Sequence, residues 1–294
     1  MRVVPAYGLF FIAFYALLIA LVGGLVFLMT GRGEALLILL LALALHLFLA
    51  LRRPLRRHRA ARAALAGEWR EFLLARSAFY RGLDPSGRLL FERDVRLFLA
   101  ETRIAGSGGR PVSWRTRLLI AAAAAAMLHG RPDWEPPLHD GVTVYPGRAF
   151  DRNYQAGRGN IAGQAPAGGP LLIAEESLLQ GFADARDGTN VAIHELAHFF
   201  DLEARKAGME LRTGTGERHS WGELIGREYG RHDFAASELR DYAAGNEAEF
   251  FAVASEVFFE DPWRLRRAHP ALYSLLVEFY GQDPGGTLNH RVPE

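Results

Sequence analysis

The chain has no cysteine, which excludes a disulfide framework, a thiolate zinc site, an iron–sulfur centre and a cysteine nucleophile. Lysine is almost missing as well: Lys206 is the only one, and arginine supplies the remaining basic charge. Neither sign of charge dominates. With 34 basic and 33 acidic residues in 294, nothing marks the chain as a polyanion-binding protein, and no direct nucleic-acid contact is expected. Charge is missing altogether from Val3 to Met29. At about 1.5 Å per residue, that run is long enough to cross the hydrocarbon core of a bilayer.

A second apolar run, Ala35 to Leu51, is interrupted only by His46. The link between the two runs, Thr30 to Glu34, is so short that the two helices must be antiparallel. Residues 1–54 therefore read as a two-helix transmembrane hairpin. A cleaved signal peptide is the rival reading, but the first run is too long for one and another comes directly after it. A buried soluble hairpin is the other. Arg52, Arg53, Arg56, Arg57, Arg59 and Arg62 crowd the exit of the second helix, against the single Arg32 in the turn. The positive-inside bias then puts both termini and the bulk of the chain in the cytoplasm, with the arginines near anionic headgroups. His46 is expected to pack against the partner helix or lie near an interface, ahead of any functional role within the membrane.

Residues 55–130 read as a helical region packing on the C-terminal half of the chain. Trp69, Phe72, Leu73 and Phe79, then Leu89 to Leu99, suggest two amphipathic helices broken at Gly82-Leu83-Asp84-Pro85. Gly106 to Gly109 makes a flexible turn, and the alanine run Ala121–Ala126 reads as a tightly packed helix face. Composition changes after Gly130. Val142–Tyr145 and Leu171–Ala174 look like short strands, either of which could offer an edge to an extended peptide. The long Gly-, Asn- and Gln-rich stretch Phe150–Gly169 is a candidate rim for a site. The tail from Arg264 reads as a surface helix and a frayed end.

His194-Glu195-Leu196-Ala197-His198 is an H-E-x-x-H motif with apolar residues in the neighbouring helical positions. Histidines at i and i+4 project from one helix face, so both imidazoles can reach one ion. Glu195 lies beside them, suited to take a proton from a metal-activated water. A catalytic zinc needs a third protein ligand and an open position. Asp201 and Ala204 exclude a third histidine just downstream. The best source is Tyr242–Phe259, read as one helix carrying acids inside an aromatic face, where a carboxylate is costly unless a cation neutralises it. Glu249 and Glu256, seven apart, share a face. With Asn246 as N-cap, Glu249 also fits a capping box, so periodicity alone leaves both acids open.

From about Trp69 onward the chain resembles the Mlc titration factor A family of zinc metallopeptidases, gluzincins similar to the catalytic domain of anthrax lethal factor. The resemblance is carried by Val144-Tyr145-Pro146, by Asn190–Asp201, and by Tyr242-Ala243-Ala244 with Glu249–Phe259. It implies that His194, His198 and Glu249 ligate one Zn2+, that Glu195 is the general base, and that Tyr242 stabilises the oxyanion. Asp201 and Glu256 are candidates for outer acceptors that orient the ligands. The implied fold is mostly α with a small β-sheet, a zincin-like peptidase domain over 131–294. The implied activity is peptide hydrolysis, with a transcriptional repressor as a further partner; the hairpin, not the resemblance, places it at a bacterial inner membrane. The hairpin is a departure from the soluble family pattern. Two alternatives remain: a non-proteolytic, membrane-tethered sequestering protein, and a membrane protease of the HtpX type, which would need further spans after the motif.

Overall fold

The two apolar runs form α1 (Ala6–Thr30) and α2 (Gly33–Arg62), both long and apolar enough to cross a membrane. The structure, a computed structural model, describes residues 1, 6–136, 138, 140–147, 169–184, 187–212, 216–237 and 239–286. Contacts divide the chain into two units, residues 2–64 and residues 65–294 with Met1. In the first, Gly31 adopts the left-handed φ of +62° that closes the tight turn. Gly23 lets the helices approach, since a Cβ there would lie 2.5 Å from Leu39 Cδ1. His46 Nε2 donates to the Ile12 carbonyl at 3.1 Å, and its ring faces Tyr15. The histidine is thus satisfied by the partner helix. Helix α2 runs on through Pro54, so the arginine cluster is the helical continuation of the second apolar run. These helices support a membrane-associated, two-pass topology.

The second unit is mostly helical. Its front is three helices where two are expected: α3 (Gly67–Arg76), α4 (Ala78–Gly82) and α5 (Pro85–Glu101). The break falls at the anticipated place because Asp84 caps α5, accepting from Gly87 N–H at 2.6 Å, with Pro85 in the first helical position. The Gly106 region is partly strand: β1 (Ile104–Gly106) pairs in parallel with β2 (Val142–Tyr145), and β2 pairs in parallel with β3 (Leu171–Ala174). Three residues are too few to show alternation, which is why β1 escapes the sequence pattern. Between β1 and β2 runs α6 (Trp114–Leu128), the crossover that a parallel pair requires. Because β2 is central, its backbone is used on both sides. It cannot offer an edge; among the described residues the outer strands are β1 and β3.

After β3 come α7 (Glu175–Gly181), the motif helix α8 (Val191–Lys206), and an antiparallel pair, β4 (Glu210–Arg212) and β5 (Arg218–Ser220). They are followed by α9 (Trp221–Arg231), α10 (Glu247–Glu260), α11 (Pro262–Ala268) and α12 (Pro270–Tyr280). Tyr242–Phe259 is therefore not one helix. A 3-10 turn, Asp241–Ala244, carries Tyr242, and α10 restarts after Asn246, whose side chain accepts from the Ala248 and Glu249 N–H groups.

The core joins α6, α8, α10 and α12 around fully buried Phe250, Phe251, Phe258, Phe279 and Trp221. Ala121–Ala126 are all buried, presenting only Cβ atoms to the neighbouring helices. Helix α11, which carries Arg264, Arg266 and Arg267, is exposed at the last two as the sequence suggests, but α12 is no surface helix, because Leu276, Phe279 and Tyr280 are fully buried. Its carbonyls are capped from the end of α6: Arg131 donates from Nε to Phe279 O at 3.0 Å and from Nη2 to Glu278 O. Nearly all of Phe150–Gly169, the expected rim, and the tail after Gly286 lie outside the described residues.

Candidate metal centre

The motif helix begins where it does because Asn190 caps it. Its fully buried side chain accepts from Ala192 N–H at 3.1 Å and Ile193 N–H at 3.3 Å. Four and eight residues later, His194 and His198 emerge on one face with their Nε2 atoms 3.2 Å apart. Helix α10 crosses this face and brings Glu249 with it. Glu249 Oε2 lies 3.1 Å from His194 Nε2 and 3.5 Å from His198 Nε2. The Glu249 carboxylate turns toward the histidines rather than back to its own cap.

These three atoms fit a metal ion. Ligands held about 2.0–2.1 Å from a tetrahedral centre, the range for zinc, are about 3.3 Å from one another. The observed separations of 3.1, 3.2 and 3.5 Å bracket that edge. Glu249 Oε2 is buried and sits between the two imidazole nitrogens without a hydrogen bond of good geometry to satisfy it. A bound cation supplies the missing partner. Among the described residues, His194, His198 and Glu249 form the one His/Asp/Glu group close enough to hold an ion.

The surrounding charges point the same way. Burial by itself would strip the proton from His194. The Glu256 charge, with the Glu249 and Glu256 carboxylates beside the ring and Glu195 beyond, instead raises its pKa to about 10. Burial pushes Glu249 up, but the two histidines outweigh it and hold its carboxyl well below the usual range. Tyr242 is raised by burial, then by Glu249 beside its hydroxyl and by the Glu195 charge. Its ring lies 5.8 Å from that of His194.

Glu256, fully buried, places Oε1 2.8 Å from His194 Nδ1, while Oε2 accepts from Asn190 N–H at 2.6 Å. Asp201 does not orient an imidazole as expected. Both of its oxygens accept from Arg205 Nε, and Oδ1 also takes Trp221 Nε1–H at 2.6 Å. Position i+4 on the same helix belongs to Arg205, and that pairing engages both Asp201 oxygens. Two residues near the site carry little sequence signal. Asn190 is recognisable only as a polar residue before an apolar helix, and nothing in the pattern marks Arg240, whose guanidinium meets Glu256.

A His-His-Glu cluster on two crossing helices, in a mostly helical fold with a small sheet, defines a candidate metal-site protein bearing two membrane-length helices. Comparison supplies the family. The chain belongs to the glucose-regulated metallo-peptidase M90 family, whose pattern matches residues 52–281. An uncharacterized protein of Synechocystis sp. is 27% identical over 235 residues, covering 75% of this chain and 86% of that protein. Mlc titration factor A of Edwardsiella ictaluri is 34% identical over 138 residues, covering 42% of this chain and 49% of that protein. Its counterpart in Escherichia fergusonii is 35% identical over 131 residues, with the same coverage of 42% and 49%. The chain thus spans about half the length of these titration factors.

Proposed function

We propose that the chain is a membrane-anchored zinc metallopeptidase of the gluzincin type, with His194, His198 and Glu249 holding one zinc ion. The observation that carries the reading is the meeting of His194 Nε2, His198 Nε2 and Glu249 Oε2 at tetrahedral-edge distances. Zinc in such a site polarises a scissile carbonyl and lowers the pKa of a bound water. Glu195, whose charge acts on both His194 and Tyr242, takes the proton from the attacking water and returns it to the leaving amine. Tyr242, holding its proton firmly, donates to the developing oxyanion. Glu256 accepts from His194 Nδ1–H, which fixes the tautomer and leaves Nε2 for the metal. The outer strand β3 is the edge on which an extended peptide substrate lies.

The anchor is a two-pass hairpin in a bacterial inner membrane. The six arginines from Arg52 to Arg62 keep the catalytic unit cytoplasmic. Among the described residues no further helix is long and apolar enough to cross a membrane, which disfavours an HtpX-type arrangement. Relatives named Mlc titration factor A, together with the family resemblance, suggest a transcriptional repressor as a second partner. A role as a purely sequestering protein is disfavoured by the complete set of Glu195, Tyr242 and the three ligands at one site.

The test is metal content and peptide hydrolysis of the detergent-solubilised full chain. Wild type is expected to carry zinc, and Glu249→Ala to lose it. Glu195→Gln is expected to keep the zinc and lose hydrolysis by about 10²-fold or more. Metal-free wild type would remove the reading, and full activity in Glu195→Gln would remove Glu195 as the base.

A further inference from the structure

Glu256 is 1% exposed, and each of its oxygens is in use. Oε2 takes the Asn190 N–H, and Oε1 faces His194 Nδ1 at 2.8 Å. One more group reaches Oε1: Nη2 of Arg240 donates to the same oxygen that holds the histidine. Arg240 lies outside the motif helix and outside α10. It immediately precedes the 3-10 turn Asp241–Ala244 that carries Tyr242, and its side chain is 43% exposed.

We propose that Arg240 is a positioning residue for the metal site. It fixes the Glu256 carboxylate, and through it the His194 ring, and it ties the turn bearing Tyr242 to α10 at the point where Glu256 meets the motif helix. A carboxylate orients an imidazole only as well as it is itself oriented. Without Arg240, Oε1 meets only the ring it is to orient, and the carboxylate is free to turn with that ring about its Asn190 anchor at Oε2. The guanidinium on the second oxygen removes this freedom. The proposal rests on the metallopeptidase reading.

Two features separate positioning from mere proximity of charge. The first is sign. A guanidinium close to a cation site repels the cation, so if Arg240 acted only as a charge, its removal would tighten metal binding. Removing a clamp loosens it instead. The second is route. An effect transmitted by Glu256 disappears once Glu256 is gone, whereas an independent effect persists, and a double-mutant cycle measures the difference.

The experiment measures zinc affinity of the full chain in detergent at pH 7, by competition with a chromogenic chelator. It compares wild type, Arg240→Gln, Arg240→Lys, Glu256→Ala and the Arg240→Gln/Glu256→Ala double variant. Arg240→Gln is expected to weaken zinc binding by about tenfold, at the lower end of outer-shell effects. Arg240→Lys is expected to recover part of the loss, since one donor and the charge remain. In the Glu256→Ala background, Arg240→Gln is expected to change affinity by less than about twofold. Thermal unfolding of the metal-free forms is expected to leave Arg240→Gln close to wild type. Unchanged or tighter zinc binding in Arg240→Gln overturns the proposal, and so does an equal loss in both backgrounds. A raised KM at unchanged zinc affinity also overturns it, by making Arg240 a substrate contact. If Glu256→Ala does not fold, the sign of the Arg240→Gln effect alone decides. Wild type that binds no zinc sinks the metallopeptidase reading and this proposal with it. Zinc-binding wild type with unaffected Arg240→Gln sinks the proposal alone.

Discussion

If the cluster holds zinc as proposed, the metal and a proton compete for the same nitrogen of His194, and the competition can be read out by changing pH. In the metal-free protein the surrounding carboxylates raise this histidine from 6.5 to about 10, so it is protonated through the neutral range. Glu249, held well below the usual carboxylate range, has already lost its proton there. Zinc binding must therefore release at least the His194 proton, and the apparent affinity rises about tenfold per pH unit. Between pH 6 and pH 8 the expected gain is about a hundredfold, on the order of 3 kcal/mol. Competition against a chelator, corrected for the chelator's own protonation, measures the slope. An affinity flat across this interval would refute the argument, because the site would then hold no proton to displace. The same shift has the opposite consequence for the metal-free fold. A pKa raised in the folded state contributes stability that is complete below 6.5 and lost as pH rises through 10. Chelator-treated protein is accordingly expected to melt at lower temperature as pH climbs through that window.

The geometry yields two further outcomes. Tyr242→Phe removes the hydroxyl beside Glu249 without touching a ligand atom. Zinc content is expected to persist while kcat falls by about 10²–10³-fold, checked by steady-state hydrolysis alongside metal analysis. Gly130→Ala places a Cβ 2.3 Å from Gly281 O, against backbone that cannot swing aside. A loss of about 1–3 kcal/mol is expected in denaturant unfolding of the unit formed by residues 65–294.

Much of this molecule is written locally in its sequence. The hairpin comes from two uncharged runs and a glycine turn, and the break before α5 from an Asp-Pro pair that caps and starts a helix. The motif helix and its two histidines come from the i, i+4 spacing. Glu249 is less legible, because periodicity leaves it only slightly ahead of Glu256. What separates them is the crossing of α10 over α8, which sends residue 249 to Nε2 and residue 256 to Nδ1 of the same ring. That is a property of tertiary packing, which no local pattern encodes. Asp201 misleads for a related reason: its nearest imidazole in sequence is passed over for Arg205 and for Trp221, twenty positions away. Arg240 has no signature at all, since one arginine among so many is visible only when Glu256 is found beneath it. The tail reads as surface from Arg264, Arg266 and Arg267, which lie on α11, but α12 after them is anchored inside by Phe279 and Tyr280.

The six-alanine stretch in α6 has a consequence for how the protein tolerates change. A homopolymer of the smallest chiral residue reads as filler, the kind of segment expected to drift freely. Here none of Ala121–Ala126 is more than 4% exposed, so the helix is hemmed in on every side and has no outward face on which a longer side chain could escape. In a saturation-mutagenesis map this low-information tract would stand among the least permissive stretches of the chain, with glycine and serine the mildest replacements.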